Sequence, residues 1–161
     1  MSGYQLYILV EAENRKEAIA AAKSELDSRR EAGDLQEGDK GDVTSGGEVL
    51  NLKKCGGEAK LRELNKERKE TANYYARQGL EAMVEAGCTG LGEVPLNEEK
   101  DTMVAYNLSI WAKIVAGYFS PHGVVYDPMT YQCGFTEDRI QELTASLRQM
   151  EKLWFVECIV G

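Results

Sequence analysis

Polar and apolar residues alternate around a strongly apolar middle in "YQLYILVEA", a run rich in aromatic and β-branched side chains, so a strand is predicted from Tyr4 to Glu11. Apolar groups fall on both faces, which marks a central strand. In "NRKEAIAAAKSEL" the period becomes helical. Asn14 is placed to cap with Glu17 three residues on, and Ala18, Ile19, Ala22 and Leu26 make one apolar stripe ending before Gly33. Between Gly33 and Gly57 the pattern breaks into seven glycines and several aspartates, interrupted by "EVLNLKK", read as a short second strand.

A long helical pattern follows from Glu58 to Ala86, carried by Leu61, Leu64, Ala72, Tyr75, Gly79, Met83 and Ala86, with Gly87 placed to stop it. "GCTGLGEVP" connects it to a second helix, capped by Asn97 with Glu98 and Glu99 in its first turn. The apolar positions Val104, Leu108, Trp111, Val115 and Tyr118, widened by Met103, Ile110 and Ile114, predict a largely buried helix paired antiparallel with the preceding one. Next comes "YFSPHGVVYDPMTYQCGF", residues 118–135, where the "DPMT" turn predicts a hairpin of Val124–Asp127 with Thr130–Cys133. Thr136 caps a last helix with Ile140, Leu143, Leu147 and Met150 on its buried side, and "LWFVECIV" closes on a strand.

This order parses as two β-α-β units around a helical pair. The expected architecture is a single α+β domain over residues 1–161: a ferredoxin-like, mainly antiparallel sheet with its helices on one face and a helical-hairpin insertion over residues 58–118. The longest apolar stretch holds Asn107 and Lys113 and is too short and polar to span a bilayer.

Charge narrows the function. A net charge of −8 argues against direct nucleic-acid binding, because neutralising phosphates needs a basic surface. The densest basic run, "KLRELNKERKE", interleaves its cations with glutamates, and pairs such as Lys66 and Glu70 are expected to satisfy each other along a solvated helix face. Acidity suits a protein partner with a basic surface. The four cysteines, Cys55, Cys88, Cys133 and Cys158, have no paired spacing, and no cleavable signal is evident at the N-terminus, so reduced thiols and a cytoplasmic location are expected.

Candidate chemistry is sparse. Gly33 and Gly38 have phosphate-loop spacing, but Asp39, Lys40 and Gly41 follow where Lys and Ser or Thr are needed. Residues 118–135 hold the only histidine, and His122 with Asp127 and Cys133 has the composition of a general base, its orienting acid and a nucleophile. The turn already explains Asp127, and the Pro121 and Gly123 flanks place His122 at or near the surface. A zinc site there would lack paired ligand spacing. No catalytic residue, metal or cofactor is assigned, and a non-enzymatic role is favoured over an enzymatic one.

Nine of the thirteen aromatics lie between Tyr74 and Phe135. Helical spacing assigns Tyr75, Trp111 and Tyr118 to the core, whereas Tyr74 and Tyr106 fall off those stripes and are expected at the surface. Two readings follow. In the first, a non-enzymatic interaction or regulatory domain, inhibitory in one form, acts on a protein partner through an acidic, tyrosine-rich surface; a homodimer through the same patch is its variant. In the second, a small-molecule-binding domain or minor enzyme has its pocket between sheet and inserted helices and uses His122, Tyr126, Tyr131 and Cys133.

Overall fold

A computed structural model describes residues 3–36, 38–94 and 102–161. The expected Asn97 cap, with Glu98 and Glu99, lies outside them.

The first strand, β1 (Tyr4–Glu11), is central as its two-faced apolar pattern requires. It pairs antiparallel with β6 (Leu153–Val160) and parallel with β4 (Val125–Asp127), which turns back antiparallel into β5 (Gln132–Cys133). On the outer edge of β6 lie β2 (Gly41–Val43) and β3 (Val49–Asn51). They act as one edge strand interrupted by a five-residue loop, 44–48, which Glu157 spans by accepting from the Thr44 N–H at 3.0 Å and donating to the Glu48 carbonyl at 2.9 Å. Among the glycines at 33–57, only the "EVLNLKK" half of that strand was legible.

The result is an α+β fold with a mixed, mainly antiparallel sheet in the order β2/β3, β6, β1, β4, β5. The ferredoxin-like arrangement is not confirmed. After helix α1 (Arg15–Glu31) the chain joins the free edge of β6, and the helices do not share one face. Because β1 and β6 are apolar on both sides, each side of the sheet needs a cover. Ala18, Ala22 and Leu26 of α1 bury Leu6, Ile8 and Val10 on one side. On the other, Leu61 and Leu64 of α2 (Glu58–Glu85), with Ile140 and Leu143 of α4 (Glu137–Leu143), bury Leu9, Val125 and Phe155.

Of the three expected N-caps, the two within the described residues form: the Glu17 N–H donates to Asn14 Oδ1 at 2.9 Å and the Arg139 N–H to Thr136 Oγ1 at 3.1 Å. The expected last helix is two, however. A second cap, Ser146, accepts from the Gln149 N–H at 3.1 Å and starts α5 (Leu147–Glu151), which turns Leu147 out to solvent instead of into the core.

Only the first turns of α2 rest on the sheet. The helix, about 42 Å long at 1.5 Å per residue, continues past it and packs antiparallel on α3 (Thr102–Ala116) through Ala72, Ile110 and Ile114. Gly79 admits Leu108, whose Cδ2 would lie 2.7 Å from any added Cβ. Contrary to the sequence expectation, α3 is not largely buried. Its covered stripe is Val104, Asn107, Ile110 and Ile114, while Trp111, Val115 and Tyr118 are exposed. A polar residue occupies a core position because Asn107 Nδ2 donates to the Met103 carbonyl at 2.7 Å, and a single neighbouring helix covers only a narrow stripe. Among the described residues no helix is long and apolar enough to cross a membrane.

Candidate functional site: an aromatic cluster around His122

The segment 118–135 divides its unusual residues between two places. Its first turn is fixed by Ser120, whose side-chain oxygen accepts from the His122 N–H at 3.2 Å and whose carbonyl accepts from the Gly123 N–H at 3.0 Å. Gly123 must lack a side chain, since a Cβ there would sit 2.3 Å from Cys133 Sγ. Val124 follows at φ +70°, and Tyr131 in the same segment at φ +56°; among the described residues these are the non-glycine positions with positive φ. A β-branched residue there is strained by roughly 1–3 kcal/mol. The Tyr7 N–H, donating to the Val124 carbonyl at 2.9 Å, holds it in register with β1.

This turn places His122 among tyrosines from three other elements. Its ring centroid lies 4.1 Å from that of Tyr4, at the start of β1, and 5.0 Å from that of Tyr75 on α2, which meets it edge-on. Tyr74 packs edge-on to Tyr75 at 5.1 Å. From α3, the Tyr106 hydroxyl faces that of Tyr4, an interaction that pushes the Tyr106 phenol pKa up. Burial pushes Tyr75 up to about 12, and burial, then the nearby Lys113 charge, lowers His122 below its ordinary value. The imidazole is therefore mainly neutral at pH 7 and half-buried, and its enclosed Nε2 has no partner among the described residues. Three rings of the cluster keep much of their surface open: Tyr4 at 41%, Tyr74 at 51% and Tyr106 at 46%.

The composition of a Cys-His-Asp site is present, but its groups are engaged elsewhere. Asp127 is fully buried and paired with Arg139, Oδ2 at 2.7 Å from Nε and Oδ1 at 3.3 Å from Nη2. Its Oδ1 also accepts from the Met129 N–H at 3.1 Å, the turn bond expected from "DPMT". Cys133 is buried beneath Gly123, and desolvation pushes its thiol up to about 11, far from the thiolate a nucleophile needs. Among the described residues no hydrogen bond links His122, Asp127 and Cys133, and no three His, Cys, Asp or Glu side chains gather as metal ligands would.

The other assigned residues lie on the α1 side. Tyr126 is fully buried in that core, edge-on to Phe119 at 4.9 Å, and its hydroxyl, without a partner among the described residues, is pushed by burial up to about 12. The Arg29 guanidinium lies 5.9 Å from the Tyr126 ring and 5.7 Å from that of exposed Tyr131. The structure thus brings His122, Tyr74 and Tyr106 together, places Tyr126 and Tyr131 around Arg29, and leaves Cys133 in the core. The sequence reading missed Tyr4, Lys113, Arg29 and Arg139. Of these only Tyr4 had a signal, as an amphipathic ring at the end of a strand. Trp111 and Tyr118, assigned to the core, belong instead to the exposed surface of the hairpin. The expected Lys66–Glu70 pairing is also absent among the described residues; Lys60 pairs with Glu63 at 3.8 Å and Arg62 with Glu58 at 2.8 Å. A comparison of the chain with known proteins finds no matching family model, no matching curated protein and no matching solved structure.

Proposed function

We propose that the protein is a non-enzymatic interaction or regulatory domain that contacts a protein partner through the aromatic cluster around His122. The observation that carries this reading is the grouping of Tyr4, Tyr74 and Tyr106, each about half open, around a neutral histidine held by a strained turn. Rigid rings with a polar tip supply contact area at low cost in conformational entropy, which is why tyrosine is enriched where surface is covered on association. The acidic charge of the chain favours a partner with a basic surface, approached faster at low salt. The second reading, a pocket using His122, Tyr126, Tyr131 and Cys133, is weakened by their division between two places.

The test replaces Tyr74 by photoreactive benzoylphenylalanine in cells that make the protein, with the same substitution at exposed Glu17 of α1 as control. A discrete adduct from position 74, absent from position 17 and lost on adding Tyr106→Ala, is the expected result. An adduct with a second copy of the chain assigns the patch to self-association. Equal adducts at both positions, or none, overturn the reading.

A further inference from the structure

A different part of the molecule has the geometry of a ligand site. At its carboxyl end β1 leaves for the α1 side of the sheet, whereas the chain enters β6 beside that same end from the α4–α5 side; the Ala12 N–H donates to the Lys152 carbonyl at 2.8 Å where the two connections diverge. The parallel strands β1 and β4 both end on this side, and connections that part to opposite faces leave a crevice outside such carboxyl ends, the usual place for ligands in open α/β sheets. A cleft of about 260 Å³ is found there. That is close to the lower end of ligand cavities, roughly 300–1,000 Å³, so it suits a small molecule and excludes a nucleotide or a peptide.

The lining is mostly apolar, with a few convergent polar groups. Val10, Ala21, Met129, Leu143 and Leu153 make its walls, and the buried Asp127–Arg139 pair closes one side. Arg139 has no spare charge, because it also reaches Glu142 at 3.1 Å. Glu11 and Glu25 face the same space. Glu25 is paired at 3.3 Å with Arg29 through one oxygen, and among the described residues its second oxygen and the whole of Glu11 have no cationic partner. A half-buried carboxylate with an open acceptor beside an apolar wall is stabilised by an ammonium group whose hydrocarbon body can cover that wall. Burial raises the Glu25 pKa, outweighing the Arg29 charge and hydrogen bond that lower it.

We propose that this crevice binds a small primary amine with an apolar body, its ammonium between Glu11 and Glu25 and its hydrocarbon against Leu143 and Met129. The site shares no residue with the His122 cluster and is independent of the interaction reading.

The experiment is an amide-resolved NMR titration of the full chain with phenethylamine at neutral pH, against phenethyl alcohol and 3-phenylpropionate. Saturable shifts centred on Glu25, Met129 and Leu143 are expected for the amine, with affinity lower by about tenfold or more for the alcohol, roughly the loss of one charge-assisted contact of 1.4 kcal/mol. The carboxylate should not bind. Glu25→Gln and, separately, the surface change Glu11→Gln should each weaken the amine several-fold, while Tyr74→Ala with Tyr106→Ala should leave it unchanged. Equal binding of amine and carboxylate, shifts mapping elsewhere, or no saturable shift overturns the proposal. Loss of binding in the tyrosine variant would instead place the amine at the aromatic cluster.

Discussion

The two ends of α2 belong to one uninterrupted helix in different company. Leu61 and Leu64, near its start, lie against the sheet with no exposed surface, while Leu80 and Val84, near its end, are 58% and 77% exposed. The apolar period is helical throughout, so composition does not separate the ends. What separates them is the number of neighbours among the described residues: a sheet and a second helix at the start, α3 alone at the finish. Burial of roughly 25 cal/mol per Å² of apolar surface therefore stabilises the first end and is largely forgone at the second. The exposed rings of the His122 cluster and the exposed stripe of α3 share that second condition. Apolar surface there is available for contact because the fold does not need it.

The largest expected effect lies in the sheet body. Asp127→Ala leaves Arg139 half-buried beside an empty cavity and should cost about 3–5 kcal/mol, the usual consequence of breaking a buried pair by removing one partner. Urea denaturation measures it, and a loss under 1 kcal/mol would mean that Arg139 simply swings to solvent. Leu64→Ala should follow, at about 2–5 kcal/mol for a fully buried leucine. If that variant were as stable as the parent, the contrast between the two ends of α2 would be wrong.

These two residues also mark the boundary of what the sequence reveals. Leu64 and the strand Tyr4–Glu11 are legible because burial on a regular element leaves a period in the chain itself. The Asn14 and Thr136 caps and the 124–133 hairpin are legible because they need only near neighbours. Arg139 is not, since nothing within its own helix distinguishes a guanidinium that reaches Asp127 from one in solvent. The same holds for the edge on which β2 and β3 settle, which depends on β6 more than a hundred residues away. In α3 the period was visible but its phase was not: Asn107 in the core and Trp111 outside reverse the hydrophobic ranking, and only the position of α2 decides between them. Of the candidate site, Tyr74 was separable from the core by the phase of α2, and Tyr106 falls off both the expected and the observed stripe of α3, but their convergence with Tyr4 on His122 is a product of topology.

A smaller effect should appear with pH. His122 has a folded-state pKa below its unfolded value, so folding favours the neutral ring. Its contribution is intact above the unfolded value of about 6.5 and is lost as pH falls below it, with a slope of at most about 1.4 kcal/mol per pH unit. His122→Phe keeps an aromatic ring between Tyr4 and Tyr75 but cannot titrate, so its stability should fall less between neutral and mildly acid pH than the parent's. Parallel pH profiles for the two would show that the imidazole is freely solvated, and would remove the physical basis for a buried, neutral centre of the cluster.

The smallest effect tests the far end directly. Leu80→Ser and Val84→Ser, at positions mostly open to water, should each change stability by no more than about 0.5 kcal/mol, a surface substitution's usual range. Serine lowers helix propensity only slightly relative to leucine, so a greater loss cannot come from the helix alone. A loss comparable with that of Leu64→Ala would show that these side chains are covered in solution. The cover would then be a second copy of the chain, and sedimentation of the parent against the double variant would reveal it as a dimer that dissociates when the two apolar groups are removed. Unchanged stability in a monomer would leave the end of the hairpin as open surface, beside the tyrosines it helps to hold in place.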